Sequence, residues 1–92
     1  MTTNITDEIL GEAVQHMPPT FDSHDVIRDL MRHWPREYAS DLCASVGADP
    51  ILTLHSTIGT RLSSFDTIEK AKKVKSMNVR GEYNENQEWR KK

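Results

Sequence analysis

Cysteine, glycine and long apolar runs are scarce in this 92-residue chain, and each scarcity excludes a class of protein. The single cysteine, Cys43, excludes an internal disulfide and a zinc site built from cysteines. None of the four glycines belongs to a glycine-rich phosphate loop, so dinucleotide-binding and P-loop enzymes are not expected. No stretch approaches the roughly 20 apolar residues of a membrane helix. The composition predicts one small soluble domain with no membrane partner.

The location of the protein is predicted from two further absences. Residues 1–4 lack the basic and apolar regions of a secretory signal. A lone cysteine is typical of a reducing compartment. We therefore expect an intracellular, cytoplasmic protein.

Charges of opposite sign are concentrated in the two halves of the chain. Residues 1–49 contain three arginines and nine carboxylates, a net charge of −6. Residues 50–92 contain nine lysines and arginines against five carboxylates, a net charge of +4. The overall charge of −2 hides this separation, and the basic half is suited to a polyanion.

Capping residues and apolar periodicity predict four helices, over residues 6–17 and about 22–34, 36–46 and 50–64. Asp49-Pro50 is the clearest start signal, because aspartate caps and proline suits the first helical position. The side chains predicted to face inward are Ile5, Ile9, Leu10, Ala13, Val14, Met17, Val26, Ile27, Leu30, Met31, Trp34, Tyr38, Ala39, Leu42, Cys43, Val46, Ile51, Leu54, Ile58, Leu62 and Phe65.

The C-terminal third changes character. Residues 70–92 are predicted to form a β-hairpin, with the turn formers of residues 80–86 in its loop and Trp89 as the apolar anchor on its return strand. Several of the cations in this segment are lysines of the first strand. An alternative explanation for those lysines is that they prevent edge-to-edge aggregation of the sheet.

The exposed side of the fourth helix is lined by short polar residues and has no carboxylate. Threonine and serine are poor helix formers, so a requirement other than helix stability is indicated, although an ordinary exposed face is the alternative. Gly59 costs about 1 kcal/mol relative to alanine within a helix, and we expect a close packing contact to explain it.

Three helices followed by a basic hairpin resemble the winged helix-turn-helix superfamily. The resemblance rests on Asp49-Pro50, the stretch from Ile58 to Leu62 and the hairpin from Val74 to Trp89. The expected fold is mainly α with a C-terminal β-hairpin. Residues 21–92 form the winged-helix domain, without a short strand between its first two helices. Residues 1–20 supply an extra helix that either caps the core or dimerises.

The resemblance implies binding of double-stranded DNA, with helix 50–64 in the major groove and the hairpin as a basic wing on the backbone. We expect the helix and wing to share one continuous surface poor in carboxylates. The implied function is that of a transcriptional regulator or nucleic-acid accessory factor, with a homodimer formed through residues 6–17. The alternative is a protein-protein interaction module that does not bind DNA. The residues expected to contact DNA are Thr53, Ser56, Thr57, Thr60, Arg61, Lys70, Lys72, Lys73, Lys75 and Arg80.

No catalytic or metal site is predicted. Ser23-His24-Asp25 has the residue types of a catalytic triad, but consecutive residues of a helix point in different directions. The four histidines, His16, His24, His33 and His55, are scattered over different segments, with no pair of histidines at a spacing of four and no adjacent carboxylate at ligand spacing. We therefore expect neither enzyme activity nor a cofactor.

Overall fold

The computed structural model describes residues 4–92, which form four helices and one three-stranded antiparallel sheet. In chain order the elements are α1 (Asp7–His16), β1 (Thr20–Asp22), α2 (Ser23–His33), α3 (Pro35–Ala44), α4 (Pro50–Leu62), β2 (Ile68–Met77) and β3 (Tyr83–Lys91). The predicted combination of helices with a C-terminal hairpin is confirmed.

Helix starts follow from local capping. Thr6 accepts a hydrogen bond from the Ile9 amide, and Asp49 accepts one from the Leu52 amide. Asp22 and Asp25 exchange side-chain and backbone hydrogen bonds in a capping box at the start of α2. Each cap satisfies amides that have no partner inside their own helix.

The sheet contains a strand that the sequence analysis missed. Strand β1 pairs with β3, placing Phe21 opposite Trp89, and the strand order is β1-β3-β2. Three residues between a Pro-Pro stop and a helix cap are too few to show an alternating pattern. This strand lies between α1 and α2, so the fold is a small α/β arrangement rather than helices with a hairpin alone.

One apolar core joins the helices to the sheet. Trp89 and Phe21 from the sheet are buried with Leu30 and Ile58 from α2 and α4. Helix α1 belongs to this core, because Leu10, Ala13 and Val14 are buried, together with Ile5 just before it. Helix α1 therefore packs on the core with its apolar face, and a homodimer through residues 6–17 stays a prediction.

Helix α3 is more exposed than predicted. Ala39, Cys43 and Val46 lie on the surface, with Val46 72% exposed, although all three were expected in the core. The helix contributes mainly Tyr38 to the core, and it ends at Ala44 rather than at residue 46. A ten-residue helix packed along one edge of a small domain buries only a narrow face.

Seven other residues predicted to face inward are less buried than expected, and Ile9, Met17 and Leu42 among them are half-buried. Met31 is 39% exposed, and Trp34, Ile51 and Phe65 are half-buried.

The buried carboxylate of Asp41 attaches α3 to the N-terminal segment. It accepts hydrogen bonds from the backbone amides of Asn4 and Ile5, both at 2.8 Å, and from the Asn4 side chain at 3.1 Å.

Among residues 4–92, no helix has the length and apolar character needed to cross a membrane.

Candidate functional site

A groove of about 690 Å³ separates α4 from the β2-β3 hairpin, and the first turn of α2 closes one end of it. Helix α4 contributes Leu52, His55, Ser56, Gly59 and Thr60 to the lining, and Ser63 follows at its C-terminal end. The hairpin contributes Lys70, Lys73, Arg80, Glu82 and Glu85. The predicted recognition helix and the predicted wing therefore lie side by side.

The interior of the groove is not poor in carboxylates as expected. Lys70, Lys73 and Arg80 are matched by Asp49, Glu82 and Glu85 in the same lining. The groove has more carboxylates than expected because the hairpin turn and β3 contribute acidic side chains along with the lysines of β2. Excess positive charge is instead carried by β2 itself, which has four lysines and one glutamate.

Arg80 is paired inside the protein. Its guanidinium donates a hydrogen bond to the carboxylate of Asp49, which also caps α4. This pairing and the adjacent helix start hold the pKa of Asp49 below its usual value. Because a carboxylate already occupies the N-terminus of α4, that helix end is unsuited to an additional phosphate.

The hydroxyl groups of α4 have local partners. Thr57 and Thr60 donate to the carbonyls of Thr53 and Ser56, at 3.0 and 3.1 Å. Thr53 donates to the carbonyl of Val46 at 3.0 Å, across the turn that precedes the helix. Such bonds orient the hydroxyls and leave an oxygen lone pair free to accept from a ligand.

Five of the ten predicted contact residues line the groove: Ser56, Thr60, Lys70, Lys73 and Arg80. Thr53 and Thr57 lie beside Ser56 and Thr60 around the helix, because successive residues are 100° apart. Lys72 and Lys75 are exposed on β2 outside the groove.

Arg61 is separated from this set by an ion pair with Asp7 at the start of α1. Its guanidinium lies 2.9 Å from the Asp7 carboxylate, and its side chain is only 23% exposed. The two residues are 54 positions apart, so no local pattern indicates the pairing. A contact between Arg61 and a base would compete with this ion pair, and the role of Arg61 stays a prediction.

Gly59 faces the groove without a packing neighbour. A Cβ atom built at this position meets no heavy atom within 4 Å. The expectation of a close packing contact inside the protein is therefore wrong. Because glycine has no side chain, the surface of α4 is recessed at this position of the groove wall.

Two histidines with lowered pKa values, His24 and His55, lie in the groove. Burial lowers the pKa of His55 to about 4, and its Nε2 lies 2.7 Å from the hydroxyl of Tyr38. Burial raises the pKa of Tyr38, which keeps this hydroxyl protonated, and it shares one hydrogen bond with the imidazole. Burial also lowers the pKa of His24, whose Nδ1 lies 2.8 Å from the Ser76 hydroxyl.

Helix α2 fixes the hairpin through contacts that the sequence analysis did not anticipate. The Trp89 indole donates to Ser23 at 2.9 Å, and the Asn86 side chain accepts from the His24 amide at 3.3 Å. These partners are more than 60 positions apart, which is why no spacing pattern reveals them. They set the angle of the hairpin against the helices and so shape the groove.

Comparison with protein-family models, with curated proteins and with solved structures gives no match for this chain. The function is therefore argued from the geometry of the chain itself.

Proposed function

We propose that this protein binds double-stranded DNA through α4 and the lysines of β2. The observation that carries the proposal is the placement of a carboxylate-free helix beside a lysine-rich strand. No aspartate or glutamate occurs in α4. The four lysines of β2 are exposed, and within residues 4–92 none of them takes part in a salt bridge.

The exposed lysines supply the electrostatic part of the binding. Each phosphate contact releases condensed counterions from DNA, which makes affinity fall as salt increases. Four contacts from Lys70, Lys72, Lys73 and Lys75 correspond to a slope of about −3 to −4 in log affinity against log salt. Arg80 is expected to add little, because Asp49 already neutralises it.

The exposed side of α4 supplies the close contacts. Ser56, Thr57 and Thr60 have short side chains whose hydroxyl oxygens can accept hydrogen bonds without keeping the helix away from the bases. Leu52 is 61% exposed on the groove wall and can contact a thymine methyl group. Gly59 lowers the steric profile of the same face, as a close approach to DNA requires.

The order of elements supports a winged-helix interpretation if the three expected helices are assigned differently from the sequence analysis. Strand β1 lies between α1 and α2, and α4 leads into the hairpin, so α1, α2 and α4 correspond to the three expected helices. Helix α3 is then the additional element, rather than the N-terminal helix. The proposed domain includes residues 4–20 instead of beginning at residue 21.

A protein-binding module is the second candidate. The carboxylates of the groove, Asp49, Glu82 and Glu85, would repel DNA phosphates, and they favour a basic partner protein. On this hypothesis the lysines of β2 keep an exposed strand soluble and contact no ligand.

Duplex binding at two salt concentrations separates the candidates. Fluorescence anisotropy of a labelled mixed-sequence duplex should show affinity that falls by about 100-fold between about 50 and 200 mM salt for four contacts. The double variant Lys72→Glu/Lys73→Glu should bind at least about 10-fold more weakly and reduce the slope by about 2.

The matched control is Arg32→Glu/Arg36→Glu, which makes the same change in net charge on α2 and α3. It should bind within a few-fold of the unchanged protein. Equal losses in the two double variants would mean that net charge alone matters and would contradict the proposed surface. Absence of binding at low salt would favour the protein-binding alternative.

A further inference from the structure

Two histidines and one carboxylate converge where α1 and α2 end. His16 is the last residue of α1, His33 is the last residue of α2, and Asp29 lies one turn before His33. Their ligand-type atoms all lie within 4.8 Å of one another. None of the three residues lines the groove beside α4, so the cluster is separate from the proposed DNA surface.

The distances are close to those of a metal centre. Nδ1 of His16 lies 2.8 Å from one oxygen of Asp29, and Nδ1 of His33 lies 3.0 Å from the other. Ligand atoms bound tetrahedrally at 2.0–2.1 Å from zinc are about 3.3 Å apart. Small side-chain rotations would therefore open enough space for an ion between these three atoms.

The surroundings favour a cation and orient its ligands. Both helices direct their C-terminal ends, which carry partial negative charge, toward the cluster. The Trp34 ring stacks on His16, with ring centroids 5.8 Å apart and an interplanar angle of 12°, and it meets the His33 ring in a T-shaped arrangement. Asp29 is only 10% exposed, whereas the two imidazoles are about half exposed and can be reached from solvent.

We propose that His16, Asp29 and His33 bind one divalent transition-metal ion of the zinc type. Two imidazoles and one carboxylate are ligands that zinc accepts, and they leave a coordination position for water or a fourth ligand. The sequence analysis found no carboxylate at ligand spacing from a histidine, and this interpretation is wrong. Asp29 and His33 are four residues apart on one helix face, and His16 joins them only through the packing of α1 on α2.

The test uses the full chain with Co²⁺ as the probe and Zn²⁺ as the competitor. Titration near pH 7.5 should give one visible absorption change per chain and partial quenching of tryptophan fluorescence. Zn²⁺ should reverse both signals. Replacing Trp34 by phenylalanine should remove the quenching and leave the absorption change.

His16→Gln and His33→Gln should each weaken Co²⁺ binding by about 10-fold or more. Cys43→Ser is the matched control, because it removes an exposed metal-binding side chain and leaves the cluster intact. Circular dichroism establishes that each variant is folded.

Three results would overturn the proposal. The first is absence of stoichiometric binding by the unchanged protein. The second is binding within a few-fold of normal in either His16→Gln or His33→Gln. The third is loss of binding in Cys43→Ser, which would place the ion at the exposed thiol.

Discussion

Replacement of Asp41 by alanine tests whether the N-terminal segment and α1 are integral to the domain. The carboxylate is 7% exposed and accepts three hydrogen bonds from residues 36 and 37 positions away. Ile5, which donates one of them, is fully buried. Without Asp41, its amide is left unpaired in the interior of the protein.

The expected loss of stability is about 3 kcal/mol. A hydrogen bond to a charged group is worth about 1.5–3 kcal/mol, and an unpaired buried amide costs about 1–3 kcal/mol. The two bonds from Asn4 count for less, because Asn4 is exposed and water can replace the carboxylate there. For a domain of this size, about 3 kcal/mol lowers Tm by roughly 12–24 °C.

Urea denaturation followed by tryptophan fluorescence measures this difference. Asp66→Ala is the control, since Asp66 is exposed and its replacement should change stability by less than about 0.5 kcal/mol. Asp41→Asn should be nearly as damaging as Asp41→Ala, because its amide group would face one of the two backbone donors. A loss below about 1 kcal/mol for Asp41→Ala would refute the reasoning.

Three further variants test the interior and the groove. Burial holds the pKa of His55 at about 4 in the folded protein, against 6.5 in the unfolded chain, so the unfolded chain binds a proton more readily as the pH falls. The free energy of unfolding should therefore fall by about 1 kcal/mol between pH 7.5 and 5, after allowance for the partial exposure of His55. His55→Gln should reduce this pH dependence in urea titrations, and an unchanged dependence would contradict the assignment. Ser23→Ala should cost about 1–2 kcal/mol and shift tryptophan emission, because the buried indole of Trp89 loses its acceptor. Gly59→Ala should raise stability by about 0.5–1 kcal/mol in thermal melts, since nothing lies near the new methyl group, and should weaken DNA binding if α4 enters the groove of the duplex.

Helix positions were predictable because their determinants are local. Thr6, Asp22 and Asp49 cap the helices that follow them, and Pro35 and Pro50 occupy first-turn positions. Each signal acts within one or two turns of the chain. The starts of α1, α2, α3 and α4 therefore agree with the sequence analysis to within one residue.

Pairings between distant segments were not predictable from spacing. Arg61 has the chemistry of a base-contacting residue, but in the folded protein it forms an ion pair with Asp7. Arg80 has the chemistry of a phosphate ligand, but in the folded protein it forms an ion pair with Asp49. In both cases the residue type was interpreted without knowledge of its partner, which the packing of distant elements determines.

Helix α2 contacts both proposed sites, and this determines which variants can distinguish loss of DNA binding from loss of metal binding. His24 in its first turn binds the hairpin, whereas His33 lies about 14 Å farther along the axis, at 1.5 Å per residue. A variant that loosens α2 as a whole would weaken DNA binding and metal binding together. His16→Gln alters α1 and Lys72→Glu/Lys73→Glu alters β2, so each should affect one site only. Loss of both activities in either variant would therefore indicate disruption of the shared helix rather than removal of a ligand contact.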